Sequence, residues 1–495
     1  MSHATVLSRA GIGLNAPLVC VEAHLSNGLP AFSVVGLPES SVRESRERVR
    51  SALICSHFKW PDRRITVSLA PAELPKSGGR FDLPIALAIL VASGQLTPSA
   101  TANREFFGEL GLDGSLRPCR GLLAAVQAAT LDQRAVILPA EQAKKMAAVP
   151  GSRVTAACDL LSVCGLLKSE NLKVVRLEST QSATQRPAEL PQIAGQEVAK
   201  RALEIAAAGG HHLLMIGPPG AGKTLLAASL PPLLQDPSPS DELELSLIRD
   251  LLELEPSRGA PFRMPHHNTT AAGLVGGGIN AMPGEVSLAH GGVLFLDELA
   301  EFRANVLDLL RQPMESGRIS LSRAKGTYSY PARFQLVAAM NPCPCGYAGI
   351  QNENCRCKPD VVGRYQGRIS GPLLDRIDLH VCLERQPAAS LLHSDSTASG
   401  IGGLQDAIKR ARTRQCGRQD CLNAALNNKE LLRVCPMEAP VTQWFQDACD
   451  RLRLSGRGIH KTLRVARTIA DLAQESILSE VTLLEAMGYR SKLSA

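Results

Sequence analysis

Residues 212–224 read HLLMIGPPGAGKT, an apolar run that breaks into Gly217, Pro218, Pro219, Gly220, Ala221, Gly222, Lys223 and Thr224. The stretch fits G-x-x-x-x-G-K-[ST] in the context that gives the pattern meaning, strand, then loop, then an apolar helix over 225–234. Glycines let backbone N–H groups close around phosphate oxygens, and a following helix N-terminus adds positive potential. Lys223 is placed to reach β- and γ-phosphates, and Thr224 to ligate Mg²⁺. The expected ligands are ATP and Mg²⁺.

Two further strand ends carry polar groups. GVLFLDE (292–298) is an apolar strand closed by two acids. Asp297 suits the Mg²⁺-holding role, directly or through water, and Glu298 the base that activates an attacking water. The same pair would serve as a cap at a strand-to-helix turn, because carboxylates favour helix N-termini. FQLVAAMN (334–341) sets Asn341 at the end of an apolar strand, where it could order that water or contact a γ-phosphate.

With these three ends in place the chain resembles the AAA+ ATPases, and Asn341 sits at their sensor-1 position. Under that resemblance Arg376, in SGPLLDRIDLH (370–380), matches the arginine finger that reaches a neighbouring subunit's nucleotide. Arg464, in SGRGIHKTLRVAR (455–467), matches sensor 2 on the lid. Both are also of a residue type common on solvated faces and in salt bridges.

Longer motifs narrow the resemblance. PFRMPHHNTTAAGLVGGG (261–278), MPGEVSLAHGGVLFLDELAEF (282–302), LRQPMESGRISLSRAKGTYSYPARFQLVAAMNPCPCGY (310–347) and RISGPLLDRIDLH (368–380) resemble the magnesium-chelatase-like AAA+ proteins, and among them the YifB/ComM family. The resemblance covers nearly the whole chain. It implies a hexameric ring ATPase. For the ComM proteins it implies branch-migration helicases of natural transformation, which integrate imported single-stranded DNA into the chromosome. The partners so implied are single-stranded and branched DNA, further copies of the chain, and recombination proteins.

The segment GRISLSRAKGTYSYPAR (317–333) alternates like a hairpin with a Lys-Gly turn. In related motors an insert at this point projects into the central pore. Arg318, Arg323 and Lys325 are therefore candidate contacts to a phosphate backbone, with salt-dependent and sequence-tolerant binding. Basic residues on a hairpin edge also discourage aggregation, which is the plainer reading. His266, His267 and Gly276–Gly278 form a candidate second pore element, the histidines as hydrogen-bonding or pore-lining groups rather than metal ligands.

Cys343, Cys345, Cys355 and Cys357 make two C-x-C pairs within 15 residues. Four thiolates so close suggest structural Zn²⁺, although ligand pairs in zinc sites usually stand two to four residues apart. A reduced, unliganded loop is the alternative.

ELPKSGGRFDLPIAL (73–87), GELGLDGSLRPCRGLLAAV (108–126) and VILPAEQA (136–143) resemble the proteolytic domain of Lon proteases. That family's dyad pairs a Ser hydroxyl with a Lys amine. The matching positions here hold Arg80 and Leu123, with Lys76 and Ser77 nearby but not aligned. The resemblance thus implies a Lon-like fold without peptidase activity, used for assembly or DNA binding. Arg80 is a candidate contact or a surface ion pair.

The elements that must position these residues fall into three regions. Residues 1–170 mix strand-like runs (17–23, 65–69, 135–138) with helix-like runs (42–55, 83–93), an α+β Lon-like domain. Residues 171–191 are a linker, polar and Pro-containing over 179–191. Residues 192–385 alternate strands and helices around glycine turns, the AAA+ P-loop core with a parallel sheet. After a second linker at 386–404, residues 405–495 read as a helical lid. The fold class is α/β and multidomain.

Composition bounds the rest. The 495 residues are 44% hydrophobic and 20% charged, ordinary globular material. Aromatics are 3%, so the cores must be aliphatic. The N-terminus lacks a charged segment followed by an apolar block, no stretch is apolar enough to span a bilayer, and the 14 cysteines do not suggest a disulfide framework. A cytoplasmic, non-membrane protein is expected. The net charge of +7 is compatible with a polyanionic partner. The leading expectation is an ATP-driven DNA motor. A magnesium-chelatase ATPase subunit and an ATP-driven DNA-bound switch are the alternatives, and a protease is disfavoured by the missing dyad.

Overall fold

Alternating apolar residues build the first sheet of the chain. In Leu18–Ser26 the side chains of Val19, Val21, Ala23 and Leu25 are buried between more exposed neighbours, the period-two pattern of a strand covered on one face. The computed structural model describes residues 2–36, 44–76, 78–169, 174–175, 195–257, 259–323, 326–349, 354–386 and 401–490, with backbone only at 401 and 402. Ser77 and Lys325 lie outside the described residues, as do the expected linker 171–191 except 174 and 175, and positions 387–400 of the expected linker 386–404. Two units are present, one of Met1–Thr184, Ser246–Pro256 and Ser320–Tyr330, the other of Gln185–Leu245, Ser257–Ile319 and Pro331–Ala495.

The first unit holds β1 (His3–Arg9), β2 (Leu18–Ser26), β3 (Ala31–Val35), β4 (Arg64–Ala70), β5 (Arg104–Phe106), the small pair β6 (Glu109–Leu110) and β7 (Leu116–Arg117), β8 (Ala135–Pro139) and β9 (Val154–Ala157). Its main sheet runs β3-β4-β2-β1-β5-β8-β9. Strand β2 is antiparallel to β1 and β4, whereas β3–β4, β1–β5, β5–β8 and β8–β9 are parallel. The helix Asp82–Ala92 is buried at every residue, as expected of an apolar segment without a polar face. Its one acid is satisfied: Asp82 accepts from Arg48 Nε at 2.6 Å and from the Leu110 N–H at 3.2 Å. The region is mixed α/β, with strands and helices over the runs expected from periodicity.

Arg80 requires a correction. It is neither a surface ion pair nor an exposed contact, being only 8% exposed, with its guanidinium donating to the Arg120 carbonyl. Burial pulls its pKa down, against the weaker pull of Cys119 and Asp250. The sequence hid this because its loop turns inward into a helix buried along its whole length.

The second unit is centred on a five-stranded sheet whose middle strands are fully buried. Its strands are β10 (Leu213–Ile216), β11 (Phe262–Arg263), β14 (Val293–Leu296), β17 (Gln335–Met340) and β18 (Leu379–Cys382), with a short pair β12 (Gly276–Gly277) and β13 (Met282–Pro283) between β11 and β14. The sheet order is β11-β14-β17-β10-β18, all parallel. Every residue of β10, β14 and β17 is buried, as a sheet covered on both faces demands. Gln335 tolerates this because its Nε2 donates to the Ala206 and His211 carbonyls at 2.9 and 2.7 Å. The hairpin strands β15 (Arg318–Arg323) and β16 (Gly326–Pro331) pair with each other.

From Ile401 onward the described chain is helical: Ile401–Gln419, Asn428–Val434, Ala439–Arg451, Gly456–Leu472 and Glu480–Gly488. The first of these starts inside the 386–404 stretch. Gly456–Leu472 opens on a Ser455 cap, whose hydroxyl accepts the Gly458 N–H at 3.1 Å. Its apolar face (Leu463, Ala466, Ile469 and Ala470) joins the same core as β10 and β17. No described helix is long and apolar enough to cross a membrane.

Candidate active site

Strand β10 delivers the chain into the 217–222 loop at the carboxyl ends of the parallel strands, where open α/β sheets bind ligands. The Gly217 N–H donates to the Met340 carbonyl at 3.2 Å, and a Cβ here would stand 2.8 Å from the Leu383 carbonyl oxygen. Gly220 and Gly222 have φ of 76° and 85°, the left-handed region that glycine enters without steric cost. Helix Lys223–Ala228 follows at once. Lys223 Nζ turns back over the loop and donates to the Gly217 carbonyl at 2.7 Å, the Pro218 carbonyl at 2.9 Å and Asn341 Oδ1 at 3.0 Å. Burial lowers the pKa of this ammonium, while Asp297 and then Glu298 act to raise it.

Because β17 lies between β14 and β10, Asn341 emerges between the acidic strand end and the loop. Sheet order, not sequence proximity, brings the groups together. Thr224 Oγ1 donates to Asp297 Oδ2 at 2.9 Å. Asp297 Oδ1 in turn accepts the Glu298 N–H at 2.9 Å. Glu298 sits at φ 50°, uncommon for a residue with a side chain, and is exposed. His267 Nδ1 lies 3.2 Å from Glu298 Oε2, and its ring meets Phe302 edge-on at 6.5 Å. Arg263 and Glu285 brace the same segment through bonds of 2.6 and 2.8 Å.

The bonds of the two expected arginines run to other groups. Arg376 donates to the Pro372 carbonyl at 2.7 Å and pairs with Glu315. Arg464 donates to the Leu426 carbonyl at 3.0 and 2.7 Å and to Asn428 Oδ1 at 3.0 Å, all within the helical region, so these bonds do not bring it to the 217–224 loop. Arg318 and Arg323 are exposed on β15.

Sequence reasoning missed the clamp around Arg376. Lys461 Nζ is 2.7 Å from Asp378 Oδ1, and His211 Nδ1 is 3.2 Å from Asp378 Oδ2. Burial alone would raise the Asp378 pKa, but Lys461 and then His211 hold the carboxyl well below the usual range. Arg490 donates to the Ile377 carbonyl at 3.2 Å, and the His380 N–H to the Tyr489 carbonyl at 2.9 Å. The segment bearing Arg376 is thereby tied to the last helices. No local pattern announces it, since Lys461 and Asp378 are 83 residues apart.

The four clustered cysteines converge. One sulfur from each lies within 4.8 Å of the others. Cys343 and Cys345 Sγ are 3.2 Å apart, Cys343 and Cys355 3.7 Å, and Cys345 and Cys355 3.6 Å. These distances far exceed a disulfide bond. The Cys345 thiol is drawn down to about 6, first by the Cys343 side chain and then by the Tyr347 and Arg356 backbone groups. A second group, Asp241, Glu244 and His290, also converges. There the Arg333 guanidinium pairs with both acids. His290 Nδ1 accepts the Arg333 N–H at 3.1 Å, which leaves the proton on the nitrogen facing the carboxylates. That group is an ion-pair cluster.

The sheet order, the glycine loop closing on its lysine and the acidic neighbouring strand define an ATPase of the AAA+ type. Residues 189–391 match the family described as magnesium chelatase, subunit ChlI; 21–142 match subunit ChlI of Mg-chelatase, and 402–490 its C-terminal part. The chain is 45% identical over 501 residues to the competence protein ComM of Haemophilus influenzae, covering 99% of this chain and 98% of that protein. It is 44% identical over 496 residues to YifB of Escherichia coli, covering 99% and 97%. The magnesium-chelatase 67 kDa subunit of Chlorobaculum parvum is 27% identical over 158 residues, 30% of this chain. The chain belongs to the ComM/YifB family of magnesium-chelatase-type AAA+ proteins.

Proposed function

We propose that the protein is an ATP-driven hexameric DNA motor that migrates branched intermediates and so promotes integration of imported single-stranded DNA. The observation that carries the ATPase part is the meeting of Lys223, Asn341, Thr224, Asp297 and Glu298 at adjacent parallel strand ends. The near full-length likeness to a competence protein supports the DNA part and the role in natural transformation.

In this reading the 217–222 amides cradle the phosphates of ATP and Lys223 exchanges loop carbonyls for phosphate oxygens. Thr224 and Asp297 present two hard oxygen atoms 2.9 Å apart, which fits Mg²⁺. They would hold the ion, and Mg²⁺ when bound neutralises charge on the phosphate oxygens. Glu298 takes the proton of the attacking water, and the Asn341 amide orients it. Arg376 acts on the nucleotide of the adjacent subunit, positioned by the Asp378 clamp. For Arg464 to act as sensor 2, its guanidinium must exchange Leu426 for a phosphate.

Arg318 and Arg323, with Lys325, track the DNA backbone. The first unit is a Lon-like domain used for assembly or DNA binding. Its Arg80 guanidinium rests on the Arg120 carbonyl and Leu123 is buried, so the two dyad positions carry no nucleophile and no amine. Recombination proteins are the expected partners, in the cytoplasm.

A chelatase-type ATPase subunit is the second reading, favoured by the three family matches. Measuring ATP turnover with single-stranded DNA, with a four-way junction and without nucleic acid separates the two. The motor requires stimulation by DNA that falls with added salt, and turnover indifferent to DNA moves the chelatase reading forward.

A further inference from the structure

We infer that the four cysteines form a tetrathiolate site for a divalent metal of the zinc class, and that this metal holds the phosphate loop in place through Gly346. The inference rests on the reading of 217–224 as a nucleotide site.

Geometry supports the metal. Four sulfurs placed tetrahedrally about 2.3 Å from a zinc ion stand about 3.8 Å from one another. The sulfur separations of 3.2, 3.7 and 3.6 Å lie close to that edge. The Ala348 N–H points at Cys343 Sγ at 3.3 Å and the Cys357 N–H at Cys355 Sγ at 3.4 Å. Such donors stabilise thiolate ligands from the surrounding shell. Cys343 is fully buried, whereas Cys355 and its described neighbours Asn354 and Arg356 are exposed. A loop with so little burial needs another source of order, and metal binding supplies one.

The same loop touches the nucleotide site twice. At its root Asn341 accepts from Lys223. At its first turn the Gly346 N–H donates to the Cys343 carbonyl at 2.9 Å, and Gly346 takes φ 90°. A Cβ on Gly346 would lie 2.5 Å from Pro219 Cδ, so the backbone of the cysteine turn rests directly on the phosphate loop. Metal bound at Cys343 and Cys345 thus fixes the turn that supports Pro219.

The test uses the full chain. Metal content and free thiols are measured first, then affinity for a fluorescent ATP analogue before and after zinc is stripped with a chelator. Circular dichroism reports whether the fold survives. One zinc per chain is expected, with nucleotide affinity falling about tenfold on stripping and returning when Zn²⁺ is added back. Gly346→Ala keeps all four thiols. It should retain zinc yet bind nucleotide several-fold more weakly, which separates the coupling from a loss of folding. Metal well below one per chain overturns the inference. So does unchanged nucleotide affinity in both the stripped protein and Gly346→Ala, and in that case the nucleotide site itself stands. If zinc-loaded protein binds no nucleotide, the reading of 217–224 falls and the inference with it.

Discussion

Asn341 Oδ1 accepts a hydrogen bond from Lys223 Nζ at 3.0 Å across 118 residues of sequence. The contact exists because β17 is inserted between the strand bearing the glycine loop and the strand bearing the acids. One polar side chain thus touches Lys223, proposed to bind phosphate, while its strand adjoins the one that ends in the acids. Asn341→Ala should leave nucleotide affinity within a few-fold of the parent and lower turnover about a hundredfold, because it removes an orienting dipole and not the cradle. Parallel binding and turnover assays would check this; an equal loss in both would assign Asn341 to binding.

Arg376 is held in place by contacts from its own chain but is proposed to act on a neighbour. Arg376→Ala should lower turnover by about a thousandfold. Glu298→Gln should do the same for a different reason, loss of the base within the subunit. Mixing the two variants should restore part of the turnover, since some interfaces then pair an intact Glu298 with an intact Arg376. Absence of any recovery in rings shown to mix would remove Arg376 from the neighbouring site.

Arg318 and Arg323 are exposed on one strand. Each neutralised to Ala should weaken single-stranded DNA binding evenly across sequences and reduce the salt slope by about one, as for loss of one phosphate contact. Fluorescence anisotropy at several salt concentrations measures it.

Burial lowers the His212 pKa to about 4, and His212 Nδ1 accepts the Leu336 N–H at 2.9 Å as the neutral ring must. His380 is likewise lowered to about 4, burial again being the main cause. The unfolded chain binds these protons near pH 6.5, so between 6.5 and 4 it holds more protons than the folded chain. Stability is therefore complete above about pH 6.5 and is lost as pH falls toward 4, by about 2 kcal/mol per histidine at pH 5. Urea unfolding from pH 7.5 to 4.5 tests the sign. His212→Gln, which keeps an acceptor for Leu336, should flatten the profile.

The strand ends that bring Lys223, Asp297 and Asn341 together were legible because β10, β14 and β17 are continuous apolar runs, each ending in a polar or glycine-rich step. The cysteine cluster was legible from spacing, though not the contact of Gly346 with Pro219, which depends on backbone placement. Arg80 misled because polarity suggested exposure where the loop folds inward. The Lys461–Asp378–His211 clamp left no trace, since its members come from three distant elements. The assignment of 246–256 and 320–330 to the first unit was equally hidden, because periodicity reports what one segment buries and not against which partner.

The most direct test of the motor is dissociation of a labelled four-way DNA junction by the purified protein with ATP, alongside Glu298→Gln. ATP-dependent dissociation with DNA-stimulated turnover is expected, both lost in the variant while junction binding persists. Intact ATP turnover with no junction dissociation and no response to DNA would contradict it.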